Sequence, residues 1–216
     1  HAQRAGGQRG AAGEDPRGIH RLPAQEPRQA QLRLGRARLS HPPDHGVVEG
    51  WHEVIVPTLI AIGEAWEETG QGIEIEHAFS ECLKKVFRER SASCEAPVNG
   101  HPVVIAAVGE EQHSLPLHAL EAALCELGIK THFLGARTPL EAISATVTRL
   151  APPAVFLWAL LPHNANPEYF TNLPQVRPAP RIILGGPGWE AIDCSEVIHV
   201  VGLGNACEEI QRAVGL

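Results

Sequence analysis

The hydrophobic positions between Val47 and Arg90 recur at helical spacing. In VVEGWHEVIVPTLIAIGEAWEE, large apolar residues follow one another at intervals of three and four, as on a helix with one buried stripe. Pro57 cannot continue a helix interior, so we expect it to start a second helix or to bend the first. After the turn TGQG, residues 73–90 repeat the pattern. This part of the chain therefore predicts a small helical bundle.

The remaining chain alternates apolar runs with amphipathic segments. The uninterrupted apolar runs, which indicate strands covered on both faces, are Val103–Val108, Thr131–Leu134, Ala154–Leu160, Ile182–Leu184 and Val197–Val201. Helical patterns lie between them at about 115–127, 138–150 and 205–214, and Thr138-Pro-Leu-Glu141 predicts a capping box with proline at the first helical position. The pattern predicts an α/β fold with an open parallel five-stranded sheet and helices on both sides. Such sheets bind ligands beyond the carboxyl ends of their strands.

Composition divides the chain further. Residues 1–44 are rich in Arg, Gly, Ala and Pro and show no period, so we expect a disordered or non-native segment there. We assign 45–92 to a helical bundle cap, 93–100 to a linker and 101–216 to the α/β domain. Because the first residue is His rather than Met, we also expect a fragment or a processed product.

Charge and cysteine content limit the classes of function. Of the net charge of −7, residues 1–44 carry about +4, so the rest of the chain, at about −11, is a poor surface for nucleic-acid phosphates. Five cysteines without a C-x-x-C spacing argue against a disulfide framework or a zinc site and favour the cytoplasm. No apolar run approaches the roughly 20 residues of a membrane span, and the N-terminus lacks a signal-peptide core, so we expect no membrane partner.

Two loops of the predicted sheet carry candidate chemistry. The loop GEEQHSLP leaves the first strand and places Glu111 two residues before His113. A histidine there can bind a metal through one ring nitrogen while the other donates to a carboxylate, although a solvated loop histidine is the alternative. After the fourth strand, Gly185 and Gly186 either allow close backbone approach to a bulky ligand or make a glycine turn. His163, in WALLPHN after the third strand, is an accessory candidate.

Spaced motifs over roughly residues 46–216 resemble those of the cobalamin-binding sensor region of MerR-type transcription regulators, a family of photoreceptors. That family has a helical cap bearing W-x(9)-E-H, followed by a flavodoxin-like domain bearing D/E-x-H-x-x-G, S-x-L and G-G. The matching residues here are Trp66, Glu76 and His77 in the first motif, Glu111 and His113 in the second, Leu160 in the third, and Gly185 and Gly186 in the last.

The resemblance implies a role for each matched residue. His113 would be the lower axial ligand of cobalt, and the displaced nucleotide tail of the cofactor would pass Gly185 and Gly186. Trp66, Glu76 and His77 would enclose a 5′-deoxyadenosyl group on the upper face, rather than being a core tryptophan and a solvated pair. Leu115, Trp158 and Leu160 are further expected cofactor-binding positions.

Two residues depart from the family pattern. Pro116 replaces the glycine of the axial-ligand loop, and Trp158 stands where the family has serine. Proline stiffens the loop, and an indole occupies space that the nucleotide tail would require.

The function that the resemblance implies is non-enzymatic. Adenosylcobalamin would stabilise one homo-oligomeric arrangement, and light would release it by cleaving the cobalt–carbon bond. DNA would be bound only through a domain that is not among these residues. One alternative is the corrinoid-carrying protein of a cobalamin-dependent methyltransferase, against which the W-x(9)-E-H motif argues. Another is an interaction module that has lost the cofactor.

Overall fold

Helices occupy the chain from Val47 to Ser91. In the computed structural model, which describes residues 46–94 and 97–216, helix α1 (Val47–Gly50) continues through a π-helical turn (Trp51–Ile55) into α2 (Val56–Thr69), and α3 spans Ile73–Ser91. Pro57 is the second residue of α2, directly after the π-helical turn, so the helix changes its hydrogen-bonding pattern next to Pro57 but does not end there. The predicted disordered segment, residues 1–44, lies outside the described residues.

Five parallel strands form one sheet in the order β2-β1-β3-β4-β5. The strands are β1 Val103–Val108, β2 Thr131–Thr138, β3 Ala154–Trp158, β4 Arg181–Gly185 and β5 Ile198–Val200. This is the order of flavodoxin-like doubly wound sheets, in which the direction of winding reverses between β1 and β3. The predicted α/β fold class, with a helical segment before the sheet, is confirmed.

Helices cover both faces of the sheet. They are α4 Leu115–Glu126, α5 Leu140–Leu150, α6 Glu168–Thr171 and α7 Leu203–Val214, with short 3₁₀ turns at Pro162–Asn164 and Pro187–Trp189. Successive residues of β1 enter different cores: Val103 and Ile105 pack with α4 and α7, whereas Val104 and Ala106 pack with α5. This double coverage is why the strand sequence shows no polar alternation.

The capping box predicted at Thr138 is wrong. Helix α5 begins at Leu140 with Pro139 as its N-cap residue, and no side chain caps it. Thr138 Oγ1 donates instead to the carbonyl of Gly135 at 3.0 Å. Because Thr138 is the last residue of β2 and pairs with Val108, the strand holds it away from the helix N-terminus.

The helical segment packs directly on α4. The backbone N–H of Val47 donates to the Glu126 carboxylate at 2.8 Å, and Arg90 at the end of α3 forms an ion pair with the same carboxylate. Trp51 and Phe87, whose ring centroids lie 6.3 Å apart, join the core that α4 shares with the sheet. The division into a cap at 45–92, a linker at 93–100 and a domain at 101–216 stays a prediction. Among the described helices, none combines the length and apolarity that a membrane crossing requires.

His118 of α4 is buried against the helical segment. Its ring stacks on Phe133 of β2 at a centroid distance of 4.5 Å, and its Nδ1 is buried without a hydrogen-bond partner in the described part of the chain. Burial, together with the nearby charges of Arg88 and Lys84, lowers the pKa of His118 to about 4, while Glu81 opposes the shift. The imidazole is therefore neutral in the folded protein at neutral pH.

We expect the burial of His118 to lower the free energy of unfolding as the pH falls from about 6.5 to about 4. The unfolded state binds a proton near pH 6.5 but the folded state only near pH 4, so stability falls as pH drops through that window. The loss is roughly 2–3 kcal/mol, at about 1.4 kcal/mol per pKa unit. Urea unfolding between pH 7 and pH 4 measures it, with His118→Phe expected to flatten the dependence. The exposed His77→Phe serves as the control, and an equal pH dependence in all three proteins would contradict the expectation.

Candidate functional site

Glu111 is a fully buried carboxylate in the loop after β1. Its Oε1 accepts from the backbone N–H of His113 at 3.0 Å and faces His113 Nδ1 at 2.5 Å. Its Oε2 accepts from the N–H groups of Leu160 and Leu161, at 2.9 and 3.1 Å, and from Asn164 Nδ2 at 3.1 Å. At 0% exposure, this carboxylate depends entirely on protein donors to replace water.

The hydrogen bonds to Glu111 determine where the proton lies between Glu111 and His113. Burial by itself would raise the pKa of Glu111, but the donors from His113, Leu161 and Asn164 outweigh it and hold the pKa at about 2. Glu111 is therefore ionised at neutral pH and accepts a hydrogen bond from His113 Nδ1–H. The proton on Nδ1 leaves the lone pair on Nε2, the nitrogen that a metal ion would bind. The His113 side chain is about half exposed, so a ligand can reach it.

The carboxylate joins the loops that follow β1 and β3. These two strands are neighbours at the point where the winding of the sheet reverses, which is where doubly wound folds bind ligands. The Glu111 carbonyl also accepts from the N–H of Arg137, at the end of β2, at 2.9 Å. Glu111, which holds His113, is thus itself positioned by backbone N–H groups of β2 and of the loop after β3.

An apolar channel of about 480 Å³ opens at the same edge of the sheet, beside β4 and β5. Its lining combines the π-helical turn, the first half of α4, the ends of β3, β4 and β5, the loops after β4 and β5, and the start of α7. The lining residues are Trp51, Pro116, Leu120, Phe156, Trp158, Leu184, Gly185, Gly186, Pro187, Glu190, Ile192, His199, Val200, Val201, Gly202, Leu203 and Ala206. Both glycines and both departures from the family pattern are therefore in one cavity.

Gly185 and Gly186 are required by the packing of the channel wall. A Cβ on Gly185 would lie 2.3 Å from Cζ of Phe156, and one on Gly186 would lie 2.3 Å from the carbonyl oxygen of Ala159. Gly186 also has φ +98, a conformation that other residues rarely adopt. The fold itself needs both glycines, and their small size also keeps this side of the channel open.

Trp158 lies in the channel wall at the end of β3. It pairs with Gly185 of β4, and its Nε1 is a buried donor without a hydrogen-bond partner among the described residues. An unpaired buried donor costs about 1–3 kcal/mol, so an acceptor entering the channel would relieve that cost. Pro116 lies at the start of α4, where its missing N–H removes no helical hydrogen bond.

The candidate residues of the helical segment lie at its surface. Trp66 is on α2 and is 47% exposed, whereas Glu76 and His77 are on α3, with His77 Nδ1 3.5 Å from the Glu76 carboxylate. Glu76 also accepts from Ser80 Oγ at 3.2 Å. In the described part of the chain, no hydrogen bond or aromatic contact joins the indole to this pair. The other exposed large apolar residues of the segment are Val54, Ile60, Ile73, Ile75 and Val86.

The remaining candidate residues lie in the core or next to the hydrogen bonds that Glu111 accepts. Leu115 is buried in the core, and Leu160 contributes its backbone N–H to Glu111. His163 is exposed, and its neighbour Asn164, which sequence reasoning missed, is the buried side chain that reaches Glu111. A polar residue in the loop after an apolar strand, at the same edge as Glu111, is the signal that could have identified it.

The fold and site together define a flavodoxin-like domain with a carboxylate-held histidine at the sheet edge and a helical segment packed beside an apolar channel. The HTH-type transcriptional repressor CarH of Myxococcus xanthus is 31% identical to the chain over 144 residues. The alignment covers 66% of this chain and 46% of CarH, so the chain spans about half the length of that curated relative. This similarity confirms the resemblance to CarH-like regulators that the motifs indicate.

Two solved structures are similar to the chain at lower sequence identity. A cobalamin-binding protein from Desulfitobacterium hafniense DCB-2 is 17% identical, with a TM-score of 0.40 and coverage of 78% of this chain and 85% of that one. The methanol:cobalamin methyltransferase complex MtaBC from Methanosarcina barkeri is 14% identical, with a TM-score of 0.43 and coverage of 79% and 69%. No protein-family model matches the chain.

Proposed function

We propose that residues 46–216 bind a cobalamin at the carboxyl edge of the sheet, with His113 Nε2 as the lower axial ligand of cobalt. The observation that carries this proposal is the buried Glu111 carboxylate, which holds the proton of His113 on Nδ1 and so directs the lone pair of Nε2 outward. A neutral imidazole backed by a carboxylate is a basic nitrogen ligand that suits cobalt. The 31% identity to CarH supports the choice of a corrinoid.

The channel suits the nucleotide tail that axial histidine ligation would displace. Its lining is mostly apolar, and Trp158 offers an unpaired N–H. Because Gly185 and Gly186 have no side chains, a ligand in the channel can approach their backbone closely. The indole of Trp158 also fills part of the channel, so the nucleotide tail would pack against the indole. We propose that this stacking contact replaces the hydrogen bond that a serine would make there.

The upper ligand that we propose is 5′-deoxyadenosyl. Trp66 presents a half-exposed indole on which a nucleoside can pack, and the Glu76 carboxylate, held by Ser80 and His77, can accept from ribose hydroxyls. The apolar residues exposed beside Trp66 on α2 and α3 would then be covered by the cofactor and by a second copy of the chain. In this arrangement the chain acts as a sensor and performs no catalysis.

A bound adenosylcobalamin would supply a cobalt–carbon bond that visible light cleaves. The protein would favour one oligomeric state only while the adenosyl group is bound between the helical segment and the sheet. A ligand shifts such an equilibrium by its difference in affinity for the two states. Control of transcription would follow through a DNA-binding domain in the full-length regulator.

Size-exclusion chromatography with different corrinoids tests the sensor. We expect adenosylcobalamin in the dark to give a larger species, and methylcobalamin or illumination to leave the smaller one. Trp66→Ala should abolish the larger species, whereas Val54→Ala, which removes another exposed apolar side chain, should retain it. Binding of both corrinoids with no change in size would instead favour a corrinoid carrier for methyl transfer. No binding of any corrinoid would leave an interaction module that has lost its cofactor.

A further inference from the structure

Two thiols line one cavity where the chain leaves α3 and crosses to the sheet. Cys94 follows the end of α3, and Cys125 lies near the end of α4. Both are free and partly exposed, so small reagents can reach them. The cavity measures about 280 Å³ and is lined by Ser91, Cys94, Pro97, Glu121, Cys125, Ile129, Lys130 and Thr131.

A shared contact holds the two cysteines side by side. The carbonyl oxygen of Ser91 accepts from the backbone N–H of Cys94 at 3.4 Å and from the thiol of Cys125 at 3.6 Å. The Cys125 thiol also lies 3.5 Å from the carbonyl oxygen of Arg90. Burial, and after it the hydrogen bond and charge of the adjacent Cys94 thiol, raise the pKa of Cys125 to about 11. Two neighbouring thiols in one accessible cavity are the arrangement from which a disulfide forms.

We propose that Cys94 and Cys125 are a reversible disulfide site that reacts with peroxides. Hydrogen peroxide oxidises the sulfur of Cys94 to a sulfenic acid and is itself reduced to water. The sulfur of Cys125 then attacks that of Cys94, the S–S bond forms, and the sulfenic hydroxyl leaves as water with the thiol proton of Cys125. A dithiol reductant restores both thiols by exchange. The proposal requires no corrinoid and is independent of the proposed function.

The bond would fasten the helical segment to the α/β domain. Cys94 belongs to the connection that leaves α3, whereas Cys125 is on α4, which packs against the sheet. The link would close a loop of about 30 residues, which restricts the unfolded chain and raises the melting temperature by roughly 5–10 °C. It would also resist any separation of the helical segment from α4.

Peptide mass measurement tests the link directly. Trypsin cleaves after Arg90 and Lys130, so one peptide, residues 91–130, contains both thiols and no other cysteine. We expect hydrogen peroxide to lower the mass of this peptide by two hydrogens and to protect both thiols from alkylation. Dithiothreitol should reverse both changes and the rise in melting temperature.

Single substitutions provide the controls for this experiment. Cys94→Ser and Cys125→Ser should each abolish the mass change and the peroxide-induced rise in melting temperature. Cys82→Ser, which removes an exposed thiol on α3 outside the cavity, should retain both. Stable over-oxidation of Cys94 or Cys125 in the wild-type protein without loss of the two hydrogens would overturn the proposal, and so would two thiols that stay fully alkylatable.

Discussion

Replacing His113 with alanine is expected to weaken cobalamin binding by more than 100-fold and to change the spectrum of what still binds. The imidazole is the proposed axial ligand, and even the partners that orient a metal ligand are typically worth 10- to 100-fold in affinity. Spectral titration in the dark with adenosylcobalamin measures both effects. The wild-type complex should show an axially ligated cobalt, whereas any complex of the variant should resemble the free cofactor.

His163 provides the matched control for this substitution. It is an exposed histidine on the neighbouring loop after β3, whereas His113 is held by Glu111. His163→Ala should therefore leave both affinity and spectrum unchanged. If His113→Ala binds adenosylcobalamin with wild-type affinity and spectrum, His113 is not the axial ligand and the proposed site is wrong.

Replacing Glu111 with alanine is expected to lower the free energy of unfolding by about 3–5 kcal/mol, whether or not a ligand is bound. The substitution leaves the N–H groups of Leu160 and Leu161 and the amide of Asn164 without their acceptor. Buried donors without partners cost about 1–3 kcal/mol each, and partial entry of water offsets some of that cost. Urea unfolding at pH 7 measures the loss.

Glu111→Gln should separate the stability of the loop from the protonation of His113. The amide keeps the size of the carboxylate but turns an NH₂ group towards His113 or towards the loop after β3. Facing Nδ1, the NH₂ group would donate, and the imidazole proton would move to Nε2, where it blocks metal binding. We therefore expect weakened cobalamin binding even in the part of the variant population that stays folded.

The low pKa of Glu111 gives its stabilisation a defined pH window. Because the pKa falls from 4.5 in the unfolded chain to about 2 in the fold, the contribution is complete above pH 4.5 and is lost as pH falls towards 2. It amounts to roughly 3 kcal/mol, at about 1.4 kcal/mol per pKa unit. Glu110→Gln, at the exposed neighbouring position, should change stability by less than about 0.5 kcal/mol. Equal stabilities of the Glu110 and Glu111 variants would contradict this account.

The central strands β1 and β3 were predictable because both of their faces are buried. Each run without polar alternation, such as Val103–Val108, corresponds to a strand in the sheet. The short motif at Thr138 predicted a helix cap that does not form, because Thr138 belongs to β2 and its hydroxyl donates to the carbonyl of Gly135. The cavity that joins Trp158 to Gly185 and Gly186 depends on the pairing of β3 with β4, which residue spacing cannot supply.

By itself, the sequence determined the five strands, the longer helices and the presence of a Glu-x-His pair at the end of β1, but not the short helix α6 or the π-helical and 3₁₀ turns. Periodicity and short motifs can predict these features because local secondary structure depends mainly on residues that are close in sequence. The tertiary structure alone decided that Glu111 is fully buried and accepts hydrogen bonds from the loop after β3, about 50 residues further along the chain. Those donors keep the carboxylate ionised and thereby set which nitrogen of His113 stays free, and only the folding of the parallel sheet brings them together.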